Sequence, residues 1–68
     1  MYNYLIGVLA AFGEVSPNKF LSLTVATSRE KVNEIIRYLF SLGGKRVSGN
    51  SAWQEFSVGN VEVIVKIK

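Results

Sequence analysis

VEVIVKIK, residues 61–68, alternates strictly between two sets of side chains and is rich in β-branched residues. Such alternation is typical of a β-strand, because successive side chains of a strand point to opposite faces of the sheet. We therefore predict a strand over residues 61–67 rather than the start of a helix. A strand needs neighbours to pair with, and the segments upstream supply them.

Three upstream segments carry the pattern of strands. Residues 19–26 alternate between an apolar and a mildly polar set, namely Leu21, Leu23 and Val25 against Ser22, Thr24 and Ala26. Residues 45–48 and 52–58 flank the turn sequence Ser48-Gly49-Asn50-Ser51 and predict a hairpin. Gly59-Asn60 marks the break before the last strand.

The longest helix is predicted between the strands 19–26 and 45–48. Thr27, followed three residues later by Glu30, matches a capping box at a helix N-terminus. One apolar stripe at helical spacing follows it, consisting of Val32, Ile35, Ile36, Leu39 and Phe40. Gly43-Gly44 is predicted to end this helix.

A first helix is predicted over residues 2–12, with Gly13 ending it. Its large residues recur at helical spacing and are Tyr4, Leu5, Val8, Leu9 and Phe12. A second face carries small side chains, which are Asn3, Gly7, Ala10 and Ala11. Ser16-Pro17-Asn18 is a turn signal that leaves Glu14 and Val15 as a short extended piece. Residues 1–68 are thus predicted to form one α+β domain, an antiparallel sheet backed by two helices.

Composition limits the chemistry of the chain. With 68 residues, 49% of them apolar, it has a thin core of its own, which favours burial against a second copy. Cysteine and histidine are absent from the sequence, which excludes disulfides, Cys/His zinc sites and His-based catalytic triads. A net charge of +3 is compatible with an anionic partner. We expect a cytoplasmic protein without a cofactor.

The segment Leu5-Ile6-Gly7-Val8-Leu9-Ala10-Ala11-Phe12-Gly13 resembles the nine-residue motif of the LAGLIDADG homing endonucleases. The identities fall at Leu5, Gly7, Ala11 and Gly13. The order of predicted elements after the motif is also similar to that family, apart from its third helix, which would begin near Val61. The resemblance implies a single-motif, LAGLIDADG-like half-domain in which the motif helices of two copies pack together.

In that family each motif helix also delivers an acidic residue to a metal ion, and here Ala10 and Phe12 occupy the positions of the two aspartates. Neither side chain can hold a divalent ion for phosphodiester cleavage. Glu14, two positions further on, is better explained as a solvated turn residue than as a metal ligand. We therefore predict no catalytic and no metal-binding residue, and a protein that is not an enzyme.

The small face of the first helix predicts a homodimer. Glycine inside a helix costs roughly 1 kcal/mol relative to alanine, so Gly7 suggests a close backbone approach. A two-fold helix pair through Asn3, Gly7, Ala10 and Ala11 would supply it. The alternative is that Gly7 makes room for the chain's own sheet or second helix.

Alternation assigns the side chains of the predicted strands to two faces of the sheet. Leu21, Leu23, Val25, Val47, Phe56 and Val58 are predicted to face the helices. The opposite face is predicted to bind duplex DNA, as the concave sheet of the resembling family does, through Lys19, Ser22, Thr24, Lys45, Arg46, Ser48, Asn50 and Trp53. Ser57 and Glu55 share this face, and Glu55 counts against DNA. An ordinary solvated sheet face is the alternative.

These observations predict a non-catalytic, homodimeric DNA-binding protein on a LAGLIDADG-type scaffold, with a regulator as one such role. A protein-interaction module whose sheet binds another polypeptide is the first alternative. A maturase-like RNA binder is the second.

Overall fold

The computed structural model of the chain describes residues 2–68, which form one five-stranded sheet with two helices on a single face. The elements in chain order are α1 (Tyr2–Leu9), β1 (Glu14–Pro17), β2 (Ser22–Thr27), α2 (Arg29–Ser41), β3 (Lys45–Gly49), β4 (Trp53–Val58) and β5 (Val61–Ile67). The predicted α+β class is confirmed. No helix within these residues is long and apolar enough to cross a membrane.

The sheet is mixed, in the strand order β1-β2-β5-β4-β3. Three of its strand pairs are antiparallel as predicted, whereas β2 and β5 run parallel. The difference arises because the chain returns to the middle of the sheet with its last strand. Alternation predicts that a strand exists, but it does not predict which neighbours the strand will pair with.

The strand predicted at residues 61–67 is confirmed and is the central strand of the sheet. Val61, Val63 and Val65 are buried, which is why β-branched residues at alternate positions are favourable here. The third helix that the resembling family would begin near Val61 does not occur. β5 instead joins the two hairpins, β1–β2 and β3–β4, into one sheet.

The hydrophobic core lies between the sheet and the helices. Eleven buried apolar residues form it, which are Leu5, Leu9, Leu23, Val25, Ile35, Leu39, Phe56, Val58, Val61, Val63 and Val65. The three inner strands β2, β4 and β5 each contribute every second residue, so the side chains between them point to the opposite face of the sheet.

Helix α1 is shorter than predicted, because residues 10–12 form a turn after Leu9. The amide of Phe12 bonds the Leu9 carbonyl at 2.9 Å, and the amide of Gly13 bonds the same oxygen at 3.2 Å. Gly13 is required by close packing rather than as a left-handed helix terminator. A Cβ at this position would lie 2.2 Å from the backbone oxygen of Ala26.

The predicted capping box of α2 is wrong. The N-cap is Ser28, whose side chain makes no capping hydrogen bond, and Thr27 ends β2 instead. Thr27 is buried and its hydroxyl donates to the Phe12 carbonyl at 2.8 Å, which ties the turn after α1 to the sheet. The predicted end of the helix is confirmed, since Gly43 follows it with a φ of 83°.

The hairpin β1–β2 differs from the predicted turn. Ser16 and Pro17 belong to β1, and the tip spans residues 18–21. Leu21, predicted to lie in a strand, has a φ of 53°, so regular pairing starts only at Ser22. Phe20 stands at this tip with 91% of its surface exposed.

Candidate interaction surface

The face of the sheet that no helix covers is here called the open face. Its residues are given by the register and by alternation with the core, and they are Glu14, Ser16, Ser22, Thr24, Ala26, Lys45, Ser48, Trp53, Glu55, Ser57, Glu62, Ile64 and Lys66. Seven of the eight residues predicted to bind nucleic acid lie on it or in the loops at its ends. The exception is Arg46.

Ile64 occupies the centre of the open face. In the sheet register it lies between Thr24 of β2 and Glu55 of β4. A shallow groove of about 400 Å³ runs beside it and is also lined by Trp53 and Lys66. The groove therefore combines the apolar side chains of Ile64 and Trp53 with the charged groups of Glu55 and Lys66.

Besides Glu14 on the edge strand β1, two lysines and two glutamates are spread over the open face. Lys66 lies beside Trp53, Glu62 lies beside Ser57, and Lys45 pairs with the same serine from the other side. Glu55 is half-buried near the centre. The formal charges of these four side chains cancel, so the face has no excess of positive charge.

Glu14 and Lys68 form a salt bridge at one corner of the open face, with 3.2 Å between the Lys68 Nζ and the Glu14 Oε1. The pair is exposed and contributes little to stability. It leaves the charge balance of the face unchanged. Glu14 is the first residue of β1, and its carboxylate is paired with Lys68.

The predicted position of Arg46 on the open face is wrong. Arg46 lies opposite the buried Phe56 in the β3–β4 register, so its side chain is on the helix side of the sheet. Its Nε donates to the Gln54 Oε1 at 3.1 Å on that same side. A register shift between Arg46 and Ser48 is the physical cause, because a bulge interrupts the alternation on which the prediction relied.

Val47 lies at this irregularity and was predicted to face the helices. It is instead 59% exposed. Beyond it the register recovers, so Ser48 lies opposite Glu55 on the open face as predicted.

The other predicted nucleic-acid residues are divided between the two ends of the sheet. Lys19 is exposed in the hairpin tip, at the same end as Lys45. Ser22 is only 9% exposed and offers little surface to a ligand. The side-chain oxygen of Asn50 accepts from the amides of Ala52 and Trp53, at 2.8 and 3.1 Å, and so holds the turn before β4.

The predicted dimer residues share the outer surface of α1 and the turn after it. All four of them, Asn3, Gly7, Ala10 and Ala11, are exposed. A Cβ added at Gly7 would meet no atom within 4 Å. The alternative explanation, that Gly7 makes room for the chain's own sheet or helix, is therefore wrong.

Tyr4 and Tyr38 connect the two helices through a hydrogen bond of 2.8 Å between their hydroxyl oxygens. This hydrogen bond is the main reason why the pKa of Tyr38 lies above its ordinary value of 10.0, and desolvation raises it further. Phe12 packs near the same tyrosine, with 6.3 Å between the ring centroids. Tyr4 and Phe12 thus help to pack α1 and the turn after it against α2.

Within residues 2–68, no three His, Cys, Asp or Glu side chains come together as a metal site would require. No protein-family model, curated protein or solved structure matches this chain. The residues that sequence reasoning missed on the open face are Glu62, Ile64 and Lys66. These residues alternate with the buried valines of β5, so the sequence indicates that they lie on the face away from the core. The sequence does not indicate that β5 is the central strand, which places them in the middle of the open face.

Proposed function

We propose that this chain is a non-catalytic protein-interaction module that binds a polypeptide through its open face. The observation that carries the proposal is the shallow groove beside Ile64 and Trp53, which the charged residues Glu55 and Lys66 also line. Such a mixture is typical of protein interfaces, where an aromatic or aliphatic centre is surrounded by polar groups. The cytoplasm is its proposed location.

The charge distribution favours a polypeptide over nucleic acid. Binding to a phosphate backbone depends on several cations that act together. Here Glu55 and Glu62 lie among the lysines of the open face, and Arg46 points to the other side of the sheet. Phosphates placed along the face would meet repulsion as well as attraction.

Duplex DNA is the second candidate, because Lys19 and Lys45 lie at the same end of the sheet and could contact phosphates together. Trp53 adds a stacking surface at the opposite end, which single-stranded DNA or RNA could use. A homodimer would double each of these contacts.

The absence of catalysis is part of the proposal. Its support is that Ala10 and Phe12 stand where the resembling motif carries aspartates, while Glu14 is engaged by Lys68. Supercoiled plasmid incubated with the protein and Mg²⁺ or Mn²⁺ is expected to stay intact. Cleavage that disappears in Glu14→Gln would contradict this.

Selection from a random-peptide display library tests the proposed binding function. The immobilised protein is expected to enrich peptides that bind the wild type and fail on Ile64→Glu. Asn33→Glu, an exposed position on α2, is the matched control that adds the same charge away from the open face. Peptides that bind both variants equally well, or no enrichment at all, would contradict the proposal.

The same variants are titrated with duplex DNA, single strands and structured RNA at low and high salt. On this account none binds more tightly than about 100 μM, the weak end of nonspecific binding. Tighter binding that Lys45→Ala weakens would establish the second candidate instead.

A further inference from the structure

We propose that one polypeptide bound by the open face is a second copy of this chain. The two copies pack face to face about a two-fold axis that passes near Ile64 and runs at right angles to the strands. This inference rests on the proposed function, since it names the partner of the same surface.

The order of side chains along β5 carries the inference. On the open face β5 presents Glu62, Ile64 and Lys66, each two residues apart and therefore separated by about 6.6 Å. A two-fold axis near Ile64 exchanges the ends of this row. Glu62 then faces Lys66 of the second copy, Lys66 faces Glu62 of that copy, and the two Ile64 side chains meet in the middle.

The alternative axis, parallel to the strands, is unfavourable. It would place Lys66 against Lys66 and Glu62 against Glu62 across the interface. Juxtaposed like charges disfavour a pairing, whereas complementary charges fix its orientation. The central strand therefore selects the antiparallel arrangement of the two copies.

The side chains of β4, the strand next to β5, also fit together in this arrangement. The same axis brings Trp53 over the position of Ser57 in the second copy, because these two residues lie at opposite ends of β4. A large side chain thus meets a small one. Aligned sheets pack about 10 Å apart, a gap that side chains of this length can fill.

Glu55 is the one residue that opposes the pairing. It lies beside Ile64 in the register and hence near the axis, where the Glu55 side chains of both copies approach each other. Because these two carboxylates repel each other, removing the charge of Glu55 should have the opposite effect to removing the charge of Glu62 or Lys66. Glu55→Gln is expected to strengthen the dimer while changes at Glu62 and Lys66 weaken it.

The size of the open face predicts a weak dimer. Five strands about 4.8 Å apart, with about six residues of 3.3 Å each, give a face of roughly 20 by 20 Å. Two such faces cover at least about 800 Å² in projection, and side-chain relief brings the buried area towards about 1,200 Å², the lower end of specific interfaces. The dimer should therefore form only at high protein concentration.

Charge reversal measured by sedimentation equilibrium tests the inference. Glu62→Lys and Lys66→Glu are each expected to raise the dimer dissociation constant about tenfold or more, because two attractions become two repulsions. The double variant is expected to restore it. The two single variants shift the net charge in opposite directions, so a common effect cannot come from net charge.

Glu34→Lys, exposed on α2, is the matched control and is expected to leave the dissociation constant unchanged. Circular dichroism and thermal melting show whether each variant is folded. A wild type that stays monomeric, or single reversals that the double variant fails to rescue, would overturn the inference. Peptide selection on the open face is a separate measurement, so either result leaves the proposed function to be judged by its own experiment.

Discussion

Trp53 lies directly opposite Lys66 in the β4–β5 register, on the face of the sheet that no helix covers. It is the single tryptophan of the chain and is 37% exposed. Its fluorescence therefore reports on that surface alone. Binding through the outer surface of α1 would leave it unchanged, because the helices lie on the other side of the sheet.

The two faces of the sheet should respond differently to truncation. Leu23→Ala removes a fully buried side chain and is expected to lower the free energy of unfolding by about 2–5 kcal/mol. Ile64→Ala, at a half-buried position on the open face, should cost less than about 1.5 kcal/mol. Urea denaturation of dilute protein measures both. Equal losses would contradict the assignment of the two faces.

Lys45 and Arg46 are neighbours in sequence but lie on opposite faces, which makes them a matched pair for nucleic-acid titrations. If duplex DNA binds at low salt, Lys45→Ala should reduce the salt slope by about one unit for each lost phosphate contact. Arg46→Ala should leave affinity unchanged. A larger loss from Arg46→Ala would place DNA on the helix side of the sheet.

The glycines of the motif segment differ in what surrounds them. Gly7→Ala adds a methyl group in open space on a helix and is expected to stabilise the protein by about 0.5–1 kcal/mol. Gly13→Ala should strongly destabilise it, because the added Cβ would collide with the backbone of Ala26. Thermal melts of the two variants provide the comparison.

Gly7 also decides between the two candidate dimer surfaces. Gly7→Leu is expected to leave the dissociation constant of the dimer unchanged, since the open face lies on the far side of the sheet. Sedimentation equilibrium measures it. Loss of the dimer in this variant would move the interface to α1, as the small-residue face alone predicts.

Tyr4→Phe should lower the pKa of Tyr38 towards 10.0, because the hydrogen bond between the two hydroxyl groups is the largest cause of its elevation. A raised pKa means that the folded state favours the protonated phenol. The stabilisation from this pair is therefore complete below about pH 10, the ordinary pKa of tyrosine, and is lost as pH rises through the higher pKa of the folded state. Phenolate absorbance measures the shift, and Tyr2→Phe is the control that should not move Tyr38.

Much of the fold was predictable because its signals are local. The alternation in residues 61–67 and the terminating Gly43 depend on geometry within a few residues, and both predictions are confirmed. Thr27 misled the capping prediction because its hydroxyl bonds Phe12, which is distant in sequence. The parallel pairing of β2 with β5 likewise depends on long-range packing that no local pattern records.

The candidate site was predictable in part for the same reason. Thr24 and Trp53 follow regular alternation and lie on the open face as predicted. Arg46 follows the same rule in sequence, but the irregularity at Val47 turns it to the other side. Glu62, Ile64 and Lys66 could be assigned to a face only once β5 was known to lie in the centre of the sheet.

Acrylamide quenching of Trp53 across a concentration series of the wild type tests whether the open face is the binding surface. We expect the quenching constant to fall as the dimer forms. We expect it to fall likewise when a selected peptide saturates the dilute monomer, because both partners cover the same surface. Salt should shift the first transition to higher concentration, because the interface contains ion pairs. A quenching constant that stays the same while sedimentation shows a dimer, and while bound peptide reaches saturation, would show that the open face is not the binding surface.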